Sequence, residues 1–527
     1  MKTRHRNFRN AGTYAFLALI IIGALAHFPA VWGIMRDKRV KTLAEFSAKV
    51  RKSLVTDFKW KHFFVDINGA YTRAIGQRVC NHIVRLPNGQ LTSVEALSPR
   101  DETIAELSAT AKRVGALSSW LISRGVPLLY VQAPTKMDMR GKLYPYCVKH
   151  SINEIPEIFC RELESMGVNV LDLRPQLTLS PDAVAKNFFI TDHHWTIDAA
   201  FSACPTIAGQ ILDLLGLDNR LVGACFDPMK WNRFEKKDWF LGSRGRRVGR
   251  FFAGVDDISW YEPKSAARMS CAIPNREIFR VGSFSDALIK KQELLSEKRP
   301  PYYTSNPYLL YVGGDFPLVA HRNQSASVKA RVLMIQDSFG VPIQAFFSTL
   351  FSEVDVLDLR YFDEMAVTEY IESTKPDAVV VLYYPLTLIR AQHKLTNFGQ
   401  CQGTDTEWNC VQTCRRVRIE KSPKPYNYLN LTPATGLCNG HIYRLTLGHG
   451  RPSGTSGAGA TVCLHDPNSQ KIAAIRVVDL DYISGNEECI GFKVPPTGKW
   501  RLLLYAGRRA ATNVEVDIGE VTLFEKK

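Results

Sequence analysis

From Ser98 to Tyr383 helical runs alternate with short apolar runs, a pattern that only a few layered architectures accommodate. Ser98 as N-cap, Pro99 at the first helical position and Asp101 and Glu102 in the first turn open a helix that Gly125 closes. Val126 to Gln132 follows as an apolar run of strand length. The plan then repeats with a helix over Pro156 to Met166, Gly167, and a strand over Val168 to Leu173. It resumes with a strand from Arg331 to Ile335, a helix from Val341 to Phe351, a strand from Val354 to Leu359, a helix from Glu364 to Ser373 and a strand from Ala378 to Tyr383. Apolar strands separated by helices imply a parallel sheet covered on both faces, a three-layer α/β/α domain over residues 98–399.

Other stretches depart from this plan. Residues 217–330, rich in glycine and aromatic side chains, read as an insertion of loops and short antiparallel strands. Residues 400–430 are polar, basic and cysteine-rich, a linker expected to be pinned by disulfides. From 431 to 527 short runs of alternating polarity are split by Gly450, Pro467-Asn468, Gly485-Asn486 and Pro495 to Gly498, which is the pattern of an all-β sandwich. Twelve cysteines, Cys80 to Cys489, permit disulfides in an exported chain. Cys401, Cys410, Cys414 and Cys438 lack Cys-x2-Cys or His-x3-His spacing, so neither a metal nor any other cofactor is expected.

A chain of 527 residues is too long for one core and implies two or three globular units. Its formal charge of +16 suggests nucleic acid until its distribution is considered. Between Met1 and Lys61, 13 Lys and Arg face only Asp37, Glu45 and Asp57, so ten of the sixteen excess charges lie there. That asymmetry faces a membrane and excludes a nucleic-acid footprint. Lys2, Arg4, Arg6 and Arg9 precede an apolar run over residues 13–35, long enough at ~1.5 Å per residue to cross a ~30 Å hydrocarbon core. The basic flank makes residues 1–12 a cytoplasmic tail and 13–35 a single-pass membrane anchor, with the bulk of the chain periplasmic or at the cell surface. Ala24-Leu25-Ala26 keeps a cleaved signal peptide open as the other reading, and in both cases the rest is exported. Residues 36–97, with Leu43, Phe46, Val50 and Leu54 at helical spacing, read as a stalk.

The chemistry lies in two stretches. Thr191-Asp192-His193-His194-Trp195-Thr196-Ile197-Asp198 sets a carboxylate two residues from an imidazole just before a helix that Thr196 caps. Gln336-Asp337-Ser338-Phe339-Gly340 sets a serine between a strand and a helix N-terminus, where free amides can stabilise an oxyanion. A serine hydroxyl needs a base to take its proton, and the base needs a third group to fix its tautomer. Asp192, His194 and Ser338 can fill those roles, with His193 open as the other base; alone, Ser338 is more readily a helix cap and His194 a core histidine. Ligands of an open parallel sheet bind beyond its strands' carboxyl ends, where Lys136, Ser338, Arg360 and Tyr384 fall. A metal at Asp192, His193 and His194 lacks obvious further ligands.

Asp192-His193-His194-Trp195, Gln336 to Gly340 and the Phe240 to Arg250 segment resemble the DHHW proteins and the related SGNH hydrolase-like alginate O-acetyltransferase family of the AlgX and AlgJ type. The resemblance covers roughly residues 40 to 395. It implies a flavodoxin-like SGNH catalytic domain with Ser338 as the acetyl-carrying nucleophile, His194 as base and Asp192 as its orienting partner. It also implies a polysaccharide acceptor and a multispanning membrane protein that delivers acetyl groups. Gln336 stands where many SGNH enzymes have glycine, and Gly242 and Gly313 are candidates for the remaining oxyanion donors. The sandwich is similar in size and position to a carbohydrate-binding module, with Tyr443, Tyr482, Trp500 and Tyr505 as candidate sugar platforms, and Arg244, Arg246, Arg247 and Arg250 suit an anionic glycan. The expected activity is polysaccharide O-acetylation; a glycan acetyl esterase with the same triad and a non-catalytic glycan-binding or assembly protein are the alternatives.

Overall fold

The computed structural model describes residues 21, 23–25, 27–37, 40–56, 60–93, 101–139, 153–291, 299–388, 398, 407–420, 422–424, 426–448, 459–509, 511 and 516–526. At its centre is an eight-stranded sheet. In chain order its strands are β1 (Leu128–Gln132), β2 (Asn169–Asp172), β3 (Met269–Ile273), β4 (Ile278–Gly282), β5 (Leu318–Arg322), β6 (Val328–Gln336), β7 (Phe351–Leu357) and β8 (Ala378–Tyr383). Their spatial order is β2-β1-β8-β6-β7-β5-β3-β4. The first five strands in that order are parallel, and β5, β3 and β4 continue the sheet antiparallel.

The sheet is therefore mixed, which corrects the all-parallel expectation. The three added strands come from residues 217–330, the region expected to hold short antiparallel strands, and they complete the sheet's edge. Antiparallel partners need only tight connections, and a 3-10 turn over Pro274–Arg276 with Glu277 in the left-handed region joins β3 to β4. Short buried runs such as Met269–Ile273 carry no periodicity that would announce them.

Alternate residues of the parallel strands feed two cores. Leu129, Val131, Val332, Met334, Val380 and Leu382 pack on α3 (Ile197–Leu214) and α5 (Gly340–Leu350). Tyr130, Leu333, Ile335, Val379, Val381 and Tyr383 pack on α1 (Asp101–Ile122), α2 (Glu154–Ser165) and α6 (Val367–Thr374). Burial on both faces is what the near-continuous apolar strands require. The expected cap Ser98 lies outside the described residues. Thr196 caps α3 as expected, its hydroxyl accepting from Ala199 N at 3.1 Å.

Of the expected stalk, Leu43–Thr56 is a helix, as its spacing implied, with Leu43 exposed, and residues 60–93 are folded onto this body. Lys61–Ala74 is a helix whose Gly69 abuts Val248, where a Cβ would come within 2.2 Å of a carbonyl oxygen. The strand Leu91–Ser93 pairs with Ile83–Arg85, and Leu91 N donates to Ile190 O at 3.0 Å. Of the expected anchor, residues 13–20, 22 and 26 lie outside the described residues, and among the described ones no helix is long and apolar enough to cross a membrane.

The carboxyl-terminal region holds two four-stranded antiparallel sheets that share one core, including Leu445, Leu447, Val462, Leu464 and Leu504. Strands Asn409–Cys414 and Tyr428–Asn430, inside the expected linker, belong to these sheets. Ten cysteines fall among the described residues and none is paired, so the expected disulfide framework is not found there. The sandwich is docked tightly: a Cβ on Gly491 would meet Ser373 of α6, at 1.9 Å from Oγ and 2.5 Å from Cβ. Buried Arg322 of β5 bridges Asp355 of β7 (2.7 Å) and Glu488 of the sandwich (2.9 Å).

Candidate active site

β6 ends at Gln336, and the chain turns sharply into α5. Asp337 builds that turn: its Oδ1 accepts from Phe339 N (2.9 Å), and its Oδ2 from Tyr384 N (2.9 Å) and the Thr387 hydroxyl (2.6 Å), which ties the end of β6 to the end of β8. Gly340 is needed for close approach, since a Cβ there would lie 2.0 Å from Gln336 Oε1. The turn leaves Ser338 partly exposed at the carboxyl end of a central strand. The amides of Phe339 and Gly340 are engaged by Asp337, whereas among the described residues the Ser338 amide meets no acceptor.

The second stretch is a tight loop closed by Thr196 N donating to Asn187 O at 2.8 Å. At its apex Asp192 folds back on itself: Oδ1 accepts from the amides of His193 (2.8 Å) and His194 (3.1 Å), and Oδ2 from Ser243 N (2.5 Å). His194 Nδ1 lies 2.6 Å from Asp192 Oδ1, and its Nε2 lies 2.8 Å from Ser338 Oγ. One imidazole thus bridges a buried carboxylate and a serine hydroxyl that are 146 residues apart in the chain. His193 is more exposed, with its Nδ1 3.2 Å from the Ser243 hydroxyl. Asp192, His193 and His194 are close enough together to hold a metal. Both ring nitrogens of His194 are committed, however, one to Asp192 and one to Ser338, which is the arrangement of a proton relay.

Electrostatics favour a resting base. Burial, then the neighbouring His193, pull His194 down to about 4, so its imidazole is neutral near neutrality. Burial alone would raise the Asp192 carboxyl, but the two imidazoles and their hydrogen bonds hold it well below the usual carboxylate range.

The loop is held from below. Lys136 is buried and donates its ammonium to Ile190 O and Asp192 O, both at 2.7 Å. Asp256, on the two-stranded antiparallel sheet formed by Trp231–Phe240 and Asp256–Pro263, accepts from Ile190 N (2.5 Å), Thr191 N (2.8 Å) and the Thr191 hydroxyl (2.5 Å). Tyr308 stacks on the His194 ring at 4.0 Å, accepts from Trp195 Nε1 (3.2 Å) and donates to Ser338 O (3.0 Å). Phe339 and Tyr384 stack at 4.7 Å beside the serine.

The remaining expected site residues divide. Tyr384 borders the serine. Lys136 is near but acts as a strut, not a substrate contact. Arg360 is beside the site, with its guanidinium held by Asp358 (2.5 Å) and Asp315 (3.1 Å). Gly242 and Gly313 are not oxyanion donors: the first amide goes to the Thr191 hydroxyl at 2.7 Å and the second turns back to Tyr311 O at 2.6 Å. Gly242 matters for another reason, since a Cβ there would come within 2.3 Å of Asp192 Cβ.

The basic segment is not an open loop. Ser243–Val248 forms α4, with Arg244 buried on Leu91 O (2.8 Å) and Arg246 bound to Leu241 O (2.9 Å) and Ser305 O. Arg247 and Arg250 are exposed, Arg250 pairing with Asp66 at 3.0 Å. In the sandwich, Tyr443, Tyr482 and Tyr505 are core and Trp500 is half-buried, its indole donating to Thr497 O at 2.8 Å. A cavity of about 410 Å³ lined by Trp231, Met269, Phe284 and Thr349 shares no residue with the serine site. Tyr308, Asp256 and Ser243 were not legible in the sequence; they carry no motif and meet the triad stretch only through the fold.

A sheet covered by helices on both faces, with a serine at the end of a central strand and a His-Asp pair delivered from a separate loop, defines an SGNH hydrolase-like domain. Residues 91–221 match the family model described as SGNH hydrolase-like domain, acetyltransferase AlgX. Among solved structures the chain is similar to PatB1 of Bacillus cereus (19% identity, 59% of this chain and 99% of that one, TM-score 0.49). It is also similar to a DHHW family protein from Eubacterium siraeum (15%, 60% and 95%, TM-score 0.43) and to Pseudomonas aeruginosa AlgX (12%, 85% and 95%, TM-score 0.32). No curated protein matches the chain.

Proposed function

We propose that the chain is an extracytoplasmic polysaccharide O-acetyltransferase that works through an acetyl-serine intermediate on Ser338. The observation that carries this reading is the bridging of Asp192 (2.6 Å) and Ser338 (2.8 Å) by one His194 ring; the acetyltransferase description of the matching family supports the group transferred. His194 Nε2 takes the serine proton as Oγ attacks the acetyl carbonyl of the donor. The oxyanion is met by the Ser338 amide, and Asp192 stabilises the imidazolium. Collapse expels the donor's leaving group, which takes the proton from His194. A glycan hydroxyl then gives its proton to His194 and attacks the acetyl-serine, and collapse breaks the acetyl–Oγ bond as His194 returns the proton to Oγ, leaving a glycan acetyl ester and the free serine. The basic flank and apolar run at residues 1–35 support an anchor that holds this domain outside the membrane beside a multispanning acetyl donor.

The test follows acetyl release from a chromogenic acetyl ester by the purified chain, with and without an oligosaccharide acceptor and beside Ser338→Ala. Turnover diverted onto the acceptor and lost in the variant is the expected result. Release to water alone would make the chain an esterase, and activity indifferent to Ser338 would remove the serine mechanism.

A further inference from the structure

We propose that the sandwich carries a zinc site made by Cys438, His441 and Glu525, separate from the serine centre. Their ligand atoms, a thiol sulfur, a ring nitrogen and a carboxylate oxygen, lie within 4.8 Å of one another. Two pieces of chain bring them together. Asn439-Gly440, with Gly440 at φ +82°, reverses the backbone so that Cys438 and His441 converge across a Cys-x2-His spacing. Glu525 arrives on the last strand, Glu520–Lys526, whose register sets it opposite Tyr443 of Ile442–Gly448. Glu525 is 84 positions from His441, so no local spacing betrays the set.

Sulfur, imidazole nitrogen and carboxylate oxygen at one point are donors that zinc accepts together, with solvent as the fourth ligand. A neighbouring group orients them. The Tyr443 hydroxyl accepts from Cys438 N at 2.8 Å and donates to Glu525 Oε1, while His441 Nδ1 lies 2.9 Å from the same oxygen. Cys438 is exposed and His441 and Glu525 are half-buried, which leaves an entry path from solvent. On binding, the Cys438 thiol releases its proton, and His441 carries its own on Nε2 so that Nδ1 becomes the ligand. The ion would fasten the turn before one strand to the end of the last strand of the same sheet.

Zinc titrated into the purified full-length chain against a chromophoric chelator should bind at one ion per chain. Cys438→Ser and His441→Ala should each weaken it by about a hundredfold or more, while His193→Ala, which alters the other cluster, should leave it unchanged. The cobalt-loaded chain should show a thiolate charge-transfer band that Cys438→Ser lacks. Zinc should raise the melting temperature of the parent chain but not of the near-isosteric Glu525→Gln, whose circular dichroism reports its folding. Absence of stoichiometric binding, binding that survives Cys438→Ser, or Cys438 found in a disulfide in the native chain would overturn the site.

Discussion

On the proposed mechanism His194 is a base only while it is neutral, and its burial keeps it so down to about 4. The acid limb of kcat/KM, which reports the free enzyme's base, is therefore expected nearer pH 4 than the ordinary ~6.5 of histidine. A pH-rate profile with its midpoint at ~6.5 would count against His194 as that base. The same depressed value has a stability consequence. The unfolded imidazole takes a proton as pH falls below ~6.5 while the folded one refuses it, so its contribution is intact above that pH and is lost between there and about 4. His321, buried against Gln344 and also pushed down to about 4, acts with the same sign. Asp192→Asn should lower kcat by ~10³ to 10⁴, because an amide no longer selects the Nδ1-H tautomer. Gly242→Ala should also cost most of the activity, through displacement of Asp192. The sequence made Asp192, His194 and Ser338 visible because their side-chain chemistry is rare at such positions. It showed Gly242 as a glycine without showing why, since the reason is an atom 50 residues away.

At the scale of elements, the site depends on one turn that joins two strands. Asp337 satisfies three donors from the Phe339, Tyr384 and Thr387 positions, and all of these bonds are buried. Asp337→Ala would strand them, a cost of ~1–3 kcal/mol for each unsatisfied group, so a fall in stability of roughly 3 kcal/mol or more is expected by urea denaturation. Thr387→Val removes a single bond and should cost about 1 kcal/mol. Equal effects of the two variants would mean that Asp337 is not the organiser of the turn. The parallel strands and their helices were legible because burial on both faces writes long apolar runs between helix caps. Short antiparallel strands were expected within residues 217–330, but β3, β4 and β5 could not be placed one by one, because short strands paired by tight turns leave a pattern that irregular chain can also show. The helix and small sheet from Lys61 to Ser93 were hidden for a related reason: they are held by contacts such as Gly69 on Val248, which only the assembled body supplies.

At the scale of the whole molecule, the sandwich is joined to the α/β body through charges removed from water. Arg322 and Arg331 lie among Glu353, Asp355 and Glu488, and Tyr482 of the sandwich donates to Glu353 at 3.0 Å. Such a cluster adds modest net stability when complete, but breaking it leaves buried charges without partners at ~3–5 kcal/mol. Around it run more exposed pairs, Arg268 with Asp479, Arg476 with Glu364 and Lys493 with Glu369. The two regions should consequently unfold together, unlike modules on a flexible tether. Gly491→Val tests this coupling. Its side chain would enter the space of Ser373 on α6. A docked sandwich predicts that Gly491→Val lowers the melting temperature of the whole chain, followed by tryptophan fluorescence and by loss of esterase turnover in the same scan. A tethered module predicts an early transition of the sandwich alone, with turnover surviving to the parent temperature, and that outcome would return the sandwich to the independent unit its sequence suggested.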